Sequence, residues 1–299
     1  MLRADLLFLL SCCCLSLGLT GCQRADELGP IASVASSTTI REALSSSSGG
    51  SSGGESATAS GTGWATLKGR FVFDGTPPQM QPYSANKDMG TCAPGGSAPL
   101  QETVVVDSTG GLANVAIYVR KVSRVHETAT STESNQEFDQ KECVFLSHVY
   151  PFVLGDTMVI KNSDPVGHNT NIEGKNGFNQ TIPANSATEF TPQKEEAVPV
   201  GVACSIHPWM KSYFLPRKNG YVAVTKPDGS FEIPNLPAGE ALEFQVWHES
   251  ATGPGKALVL TTPAAKELKW SGKGRFKIKL AENEEKELEI SVPAAALGG

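Results

Sequence analysis

The sequence predicts an all-β protein built from a Greek-key β-sandwich and a second, smaller β-sandwich module. Three observations lead there. Charged residues make up only 19% of the 299, while Val, Thr, Gly and Pro recur, a composition suited to short half-buried strands joined by many turns. Short runs alternate apolar and polar residues, as Val115, Ile117 and Val119 do with Ala116, Tyr118 and Arg120, the period of a strand with one buried face. Turn signals at Asp74-Gly75, Pro77-Pro78, Leu154-Gly155-Asp156 and Asp228-Gly229 punctuate those runs, a spacing typical of sandwiches.

Taken in order, the chain opens on a targeting pattern. Arg3 gives a short basic start, and Leu6 to Leu19 is apolar but shorter than the roughly 20 residues needed to span a bilayer. It reads as the apolar stretch of a signal peptide. It ends in Leu19-Thr20-Gly21-Cys22, which resembles a bacterial lipoprotein signal. That resemblance implies that residues 1–22 contain the signal, with cleavage before Cys22 and a lipid on its thiol. It places the protein in the bacterial cell envelope, anchored at the periplasmic face of a membrane. Gln23 after the Cys leans towards the outer membrane. Residues 23–63 are rich in Ser and Gly and lack apolar periodicity, so they cannot bury a core and are expected to form a disordered linker. A flexible linker of about 40 residues spans roughly 35 Å r.m.s., enough to let a folded part move near the membrane.

Strand signals begin at Trp64. Ala65 to Phe73 is one candidate and Thr103 to Val106 a short apolar one. Glu127 to Glu142 is polar and reads as an exposed insertion or hairpin tip. Cys143 to Lys161 reads as two strands paired around Leu154-Gly155-Asp156, a hairpin that would set His148 roughly opposite Asn162. Val198, Val200 and Val202 alternate with Pro199, Gly201 and Ala203, so a strand leads into Cys204, and Tyr213 to Arg217 leads away. The divisions expected are 64–218 for the first sandwich and 219–299 for the second, with the 65–75 strand able to join either.

Chemistry concentrates in Cys204-Ser205-Ile206-His207-Pro208-Trp209-Met210. A thiolate, an imidazole and a thioether at C-x2-H-x2-M spacing form a soft donor set. Two His and one Cys with a weak axial Met make the blue-copper electron-transfer site. The missing imidazole has a candidate in His168, within Asn162-Ser163-Asp164-Pro165-Val166-Gly167-His168-Asn169. A C-x2-H pair with two more ligands also suits zinc, but a thioether is a poor zinc ligand. Alone, Cys204 or Met210 would read as core filler.

These two segments resemble the small blue copper proteins, the cupredoxins. Plastocyanin and amicyanin carry Asn-x5-His-Asn followed by a Cys-x2-His…Met loop, matched here by Asn162, His168 and Asn169 and by Cys204, His207 and Met210. The likeness runs from Phe145 to Phe214. Val202 stands where the family often has Tyr, and Thr170 and Asn171 where it usually continues apolar; neither removes a ligand. The resemblance implies one type 1 copper held by His168, Cys204 and His207, with Met210 at a longer axial distance. It implies that Asn162 ties the His168 loop to the Cys204 loop. It also implies that the His207 edge is exposed, with Pro208 and Trp209 as candidates for a docking patch, although Trp209 reads equally as packed core. Further on, Tyr221 to Thr225, Asp228 to Ile233 and Asn235 to Gly239 resemble the transthyretin-like or carboxypeptidase-regulatory β modules. There Asp228-Gly229 is a hairpin signal, Leu242, Phe244, Val246 and His248 share a face, and Phe276–Leu280 and Leu288–Val292 read as a terminal hairpin.

The cysteines then sort themselves. Cys12, Cys13 and Cys14 leave with the signal, Cys22 takes lipid and Cys204 metal, which leaves Cys92 and Cys143 as a candidate disulfide in an exported protein. His148 and His248 are expected to be structural and His126 solvated. A net charge of −6 without a basic cluster argues against nucleic acid. No P-loop, Rossmann fingerprint, nucleophile elbow or second metal constellation is visible, so the chain is not expected to be an enzyme. The expectation is a membrane-tethered one-electron carrier with a redox protein as partner. Two alternatives stand beside it: a copper storage or delivery protein using the same ligands, and an envelope interaction protein whose copper is structural.

Overall fold

The computed structural model describes residues 63–299; the signal, Cys22 and the linker up to residue 62 lie outside the described residues. Within them the chain is all-β. Its strands are β1 (Trp64–Asp74), β2 (Ala116–Val119), β3 (Asn135–Lys141), β4 (Val144–Phe145), β5 (Val149–Val153), β6 (Thr157–Asn162), β7 (His168–Ile172) and β8 (Phe178–Ile182). They continue as β9 (Ser186–Phe190), β10 (Val200–Ala203), β11 (Lys211–Arg217), β12 (Val222–Val224), β13 (Ser230–Pro237), β14 (Ala241–Trp247), β15 (Arg275–Lys279) and β16 (Glu285–Pro293). A single-turn helix, α1 (Met89–Cys92), and a short α2 (Pro263–Glu267) complete the regular structure named here.

Two sheets, ordered β13-β1-β16 and β12-β2-β14-β15, enclose a core that includes Leu67, Phe71, Ile117, Phe231, Phe244 and Ile290. The other two, β5-β11-β10-β7-β8 and β4-β3-β6-β9, enclose Phe138, Phe152, Met158, Ile172, Val202 and Phe214. The first sandwich therefore draws strands from both ends of the described chain, and the second is inserted between β2 and β12. A division at 218 does not follow these cores. β1 runs parallel to β16 from Thr66 opposite Glu285 to Asp74 opposite Pro293, and antiparallel to β13 on its other side. Leu67 and Phe71 are fully buried there with Ile290 and Val292. A strand settles where its apolar face can be covered, whatever the sequence distance.

Three expected hairpins are corners between sheets. β5 pairs with β11 while β6 pairs with β3 and β9, so the Leu154-Gly155-Asp156 turn passes the chain across the core and His148 does not face Asn162. Gly155 has φ +106°, and a Cβ there would meet Ser131 Oγ at 2.8 Å. Buried Asp156 fixes the same corner by accepting from Ser131 Oγ at 2.6 Å and from the Thr132 and Ser134 amides. Likewise Asp228-Gly229 connects β12 to β13 in opposite sheets. Gly229, at φ +79°, lies so close under β1 that a Cβ would sit 2.2 Å from Phe71 O. β15 pairs with β14 and β16 with β1, so the terminal pair is split as well. The common reason is that the alternating face of each partner belongs to a different layer of the same core.

The polar run 127–142 is not a free tip. Asn135–Lys141 is β3, laid parallel to β6 from Asn135 opposite Thr157 to Gln140 opposite Asn162. Phe138 is its anchor, 1% exposed and stacked on Phe145 with centroids 5.2 Å apart; burying such a ring contributes about 2–3 kcal/mol. Thr103–Val106 forms no strand and makes a single bridge, Val106 to Leu112.

The two sandwiches touch through Ala116, Tyr118 and Trp247 on one side and Val149 and Leu215 on the other. Tyr118 donates its hydroxyl hydrogen to Ala197 O at 2.8 Å. Buried Arg217 donates to Glu196 O at 2.8 Å and Val119 O at 3.1 Å, with its guanidinium over the Tyr118 ring. Among the described residues no helix is long and apolar enough to cross a membrane.

Candidate metal centre

Antiparallel pairing of β7 with β10 sets Asn171 opposite Ala203. Continuing that register past the strand ends lays residues 168–170 beside 204–206. On the other side β10 pairs with β11, Ala203 opposite Lys211, so Cys204 to Met210 is the loop between two neighbouring strands. The loop is closed internally: Cys204 N–H donates to Met210 O at 3.3 Å and Met210 N–H to His207 O at 2.9 Å. His168, Cys204, His207 and Met210 are all buried, none more than 1% exposed.

The two imidazoles meet through their Nδ1 atoms, 2.9 Å apart, and Cys204 Sγ is 3.8 Å from His207 Nδ1. Their other nitrogens face carboxylates. His168 Nε2 is 2.7 Å from Asp164 Oδ2, and His207 Nε2 is 2.8 Å from Asp88 Oδ2. A carboxylate can only accept, so each Nε2 carries a hydrogen. Two neutral rings would then turn Nδ1 lone pairs on each other at 2.9 Å, an arrangement that a cation, either a shared proton or a metal ion, relieves. Burial pushes the pKa of His168 down, against the pull of Asp164, which favours the neutral, ligating ring.

Cys204 Sγ accepts from the Asn169 amide at 3.2 Å and the His207 amide at 3.3 Å. Both peptide N–H groups make the sulfur an acceptor. Soft sulfur and two imidazoles fit copper. His168, Cys204 and His207 each offer a donor atom within 4.8 Å of the other two, and these three residues would hold the ion, with Met210 on the same loop.

Two expectations about the surroundings change. Asn162 does not reach the Cys204 loop. Its Nδ2 donates to Val166 O, Ile182 O and Pro183 O at 2.8–3.0 Å, and its Oδ1 accepts from the Asp164 amide. It ties the His168 loop to itself and to the end of β8. The tie between the two ligand loops is Asn169, whose Oδ1 accepts from Ser205 N–H at 3.2 Å and Ser205 Oγ–H at 3.0 Å. The reason is register: β7 runs beside β10, whereas Asn162 ends β6 in the opposite sheet.

The His207 edge is not exposed either. It is 0% accessible, covered by the loop that carries Asp88 and α1. Cys92, at the end of α1, is joined to Cys143 by a disulfide with Cα atoms 5.0 Å apart, which pins that loop over the site. Trp209 is 8% exposed, and its indole N–H donates to Cys143 O at 3.2 Å, so it is packed core. Exposed Ser205 and Pro208 and half-buried Ile206 are the parts of the ligand loop that reach the surface.

Sequence reasoning missed Asp164, Asp88 and Asn169 as partners of the ligands. Asp164 could have been noticed, since it stands four residues before His168. It also accepts from the Glu142 and Cys143 amides, so one carboxylate orients the ring and the disulfide. Asp88 gave no signal, because only the disulfide brings its loop here. His148 lies away from this centre, between Glu102 and Glu249. His248 is fully buried, and burial lowers its pKa to about 4. His126 packs its ring on Trp64, centroids 4.8 Å apart.

No protein-family model matches the chain, and no curated protein matches it in sequence. Among solved structures it is similar to amicyanin from Paracoccus versutus, at 17% identity over 34% of this chain and 97% of amicyanin, with a TM-score of 0.25. It is also similar to a Cu-containing nitrite reductase from Thermus scotoductus SA-01, at 17% identity over 33% of this chain and 25% of the reductase, again with a TM-score of 0.25. That second match spans a quarter of the reductase. Neither likeness is strong enough to support an argument, and the metal reading rests on the donor geometry.

Proposed function

We propose that the protein is a cupredoxin-type electron carrier, tethered by lipid on Cys22 in a bacterial cell envelope, with type 1 copper held by His168, Cys204, His207 and Met210. The observation behind this reading is the pair of Nδ1 atoms facing each other at 2.9 Å beside the Cys204 sulfur, 3.8 Å from one of them. When bound, the ion would supply one-electron exchange between Cu(I) and Cu(II). The chain's own residues do the rest. Asp164 and Asp88 fix both ring orientations, the Asn169 and His207 amides hold the sulfur in place, and Asn169 locks the two loops at one spacing. Such a cage stays put when the charge of the ion changes, which keeps reorganisation small. It is dry, and exposed Pro208 with half-buried Ile206 is the short route for an electron from a partner protein.

Burial of every ligand favours retention of the ion over its delivery to another protein. The test is the visible and EPR spectrum of the copper-loaded chain. An intense thiolate-to-copper(II) band that disappears in Cys204→Ser and in His168→Ala supports the reading. A colourless copper complex, or a band that survives Cys204→Ser, overturns it. Reversible cycling without metal loss then separates carrier from delivery protein.

A further inference from the structure

A second group of soft donors adjoins His207. Cys92 Sγ, Cys143 Sγ and a ring nitrogen of His207 all lie within 4.8 Å of one another, and all three residues are fully buried. While the sulfurs are bonded to each other they are poor ligands. We propose that reduction of the Cys92–Cys143 disulfide creates a second copper(I) site, with two thiolates and the His207 imidazole as its ligands.

The chemistry favours this ion. Thiolate pairs suit Cu(I) and zinc alike, and three donors within 4.8 Å of one another suit the low coordination number of Cu(I). An ion about 2.3 Å from each sulfur in a trigonal arrangement holds the sulfurs about 4 Å apart. Cα atoms 5.0 Å apart allow that by side-chain rotation. The balance is closed: a dithiol gives two electrons and two protons to the disulfide and becomes a disulfide itself, and the two new thiols release their protons on binding the ion.

Access is built into the loop. Residues 81–101 are closed at the stem by Tyr83 N–H to Pro99 O and Gln101 N–H to Gln81 O, each 2.8 Å. Within that loop Cys92 and Ala93 are buried and the rest are exposed or half-buried. A compact surface loop with so little core can open locally without unfolding the sandwich, so a reductant can reach a disulfide that is covered on average. Because both sites draw on His207, ion binding at the reduced cysteines would compete with the Cys204 site for that imidazole.

The proposal does not rest on Cys204 holding a metal, and its test removes that residue. Full chain carrying Cys204→Ser is titrated with Cu(I) against bicinchoninate, once oxidised and once after dithiothreitol treatment, with thiols counted by alkylation and mass. The expected result is about one more equivalent of Cu(I) held by the reduced form than by the oxidised form. It would be overturned by equal uptake in both forms, by the same extra uptake in reduced Cys92→Ser/Cys204→Ser, or by a disulfide that stays intact in the folded protein under dithiothreitol. The visible spectrum of the unaltered chain tests the electron-carrier reading separately.

Discussion

His148 should make the stability of this protein fall as the solution turns alkaline. Its ring is buried, with Nδ1 3.2 Å from Glu102 Oε2 and Nε2 bonded to Glu249. Glu249 in turn accepts from the Tyr213 hydroxyl at 3.1 Å. Burial works against the charged ring, but the hydrogen bonds to Glu102 and Glu249 outweigh it and raise the pKa to about 9. In the unfolded chain a His titrates near 6.5. Below pH 6.5 both states hold the proton and the contribution is present in full. Between pH 6.5 and 9 the unfolded state has lost the proton while the folded state keeps it, so each pH unit removes up to about 1.4 kcal/mol. Above pH 9 the contribution is gone. A shift of about 2.5 units amounts to about 3 kcal/mol, the share owed to half-exposed Glu102 being weakened by solvent. With a urea m-value of about 3 kcal/mol/M, the midpoint should drop by about 1 M across the window. Urea unfolding followed at several pH values from 6 to 9.5 measures this, with Glu249→Gln as the control that should flatten the curve. A midpoint independent of pH between 6.5 and 9, or a slope unchanged in Glu249→Gln, refutes the reasoning.

Three further outcomes are expected. Asn169→Ala should weaken copper binding about 10–100-fold, and a null effect on affinity in a metal competition assay would refute its role as the tie between the ligand loops. Asp88→Ala should lower copper affinity about 10-fold by releasing the His207 tautomer, and should cost about 1–3 kcal/mol in urea denaturation by leaving the buried Nε2–H of His207 without its acceptor. Phe138→Ala should lose about 3–5 kcal/mol in the same denaturation assay, a size inconsistent with a solvated tip at 127–142.

Much of the site was legible because its chemistry is local. Cys204, His207 and Met210 occupy one loop, and a loop between adjacent strands keeps its residues together however the rest folds. Strand periodicity was legible for the same reason: β6 shows its buried Met158, Ile160 and Asn162 at alternate positions, and this depends on one strand only. Pairing was not legible, since a corner and a hairpin share turn chemistry. Asp228-Gly229 satisfies both, and only the core behind Phe71 and Phe231 decides between them. β3 escaped because a polar run with a single Phe reads as exposed until a six-residue ladder with β6 supplies the backbone bonds.

The surroundings of the ligands show where such reasoning stops. Asn162 and Asn169 sit in the same short motif, and resemblance assigned the bridging role to the first. The register assigns it to the second, because β7 and not β6 lies against β10. The same logic governs the lid. Nothing near Asp88 in sequence hints at an imidazole partner, yet the Cys92–Cys143 bond carries its loop across a separation of 51 residues and sets a carboxylate on the edge of His207. On the electron-carrier reading, a partner approaches through Ser205, Ile206 and Pro208, or acts when that loop is open. If reduction of the disulfide frees that loop, the redox state of the surroundings would reach the candidate ligands through it.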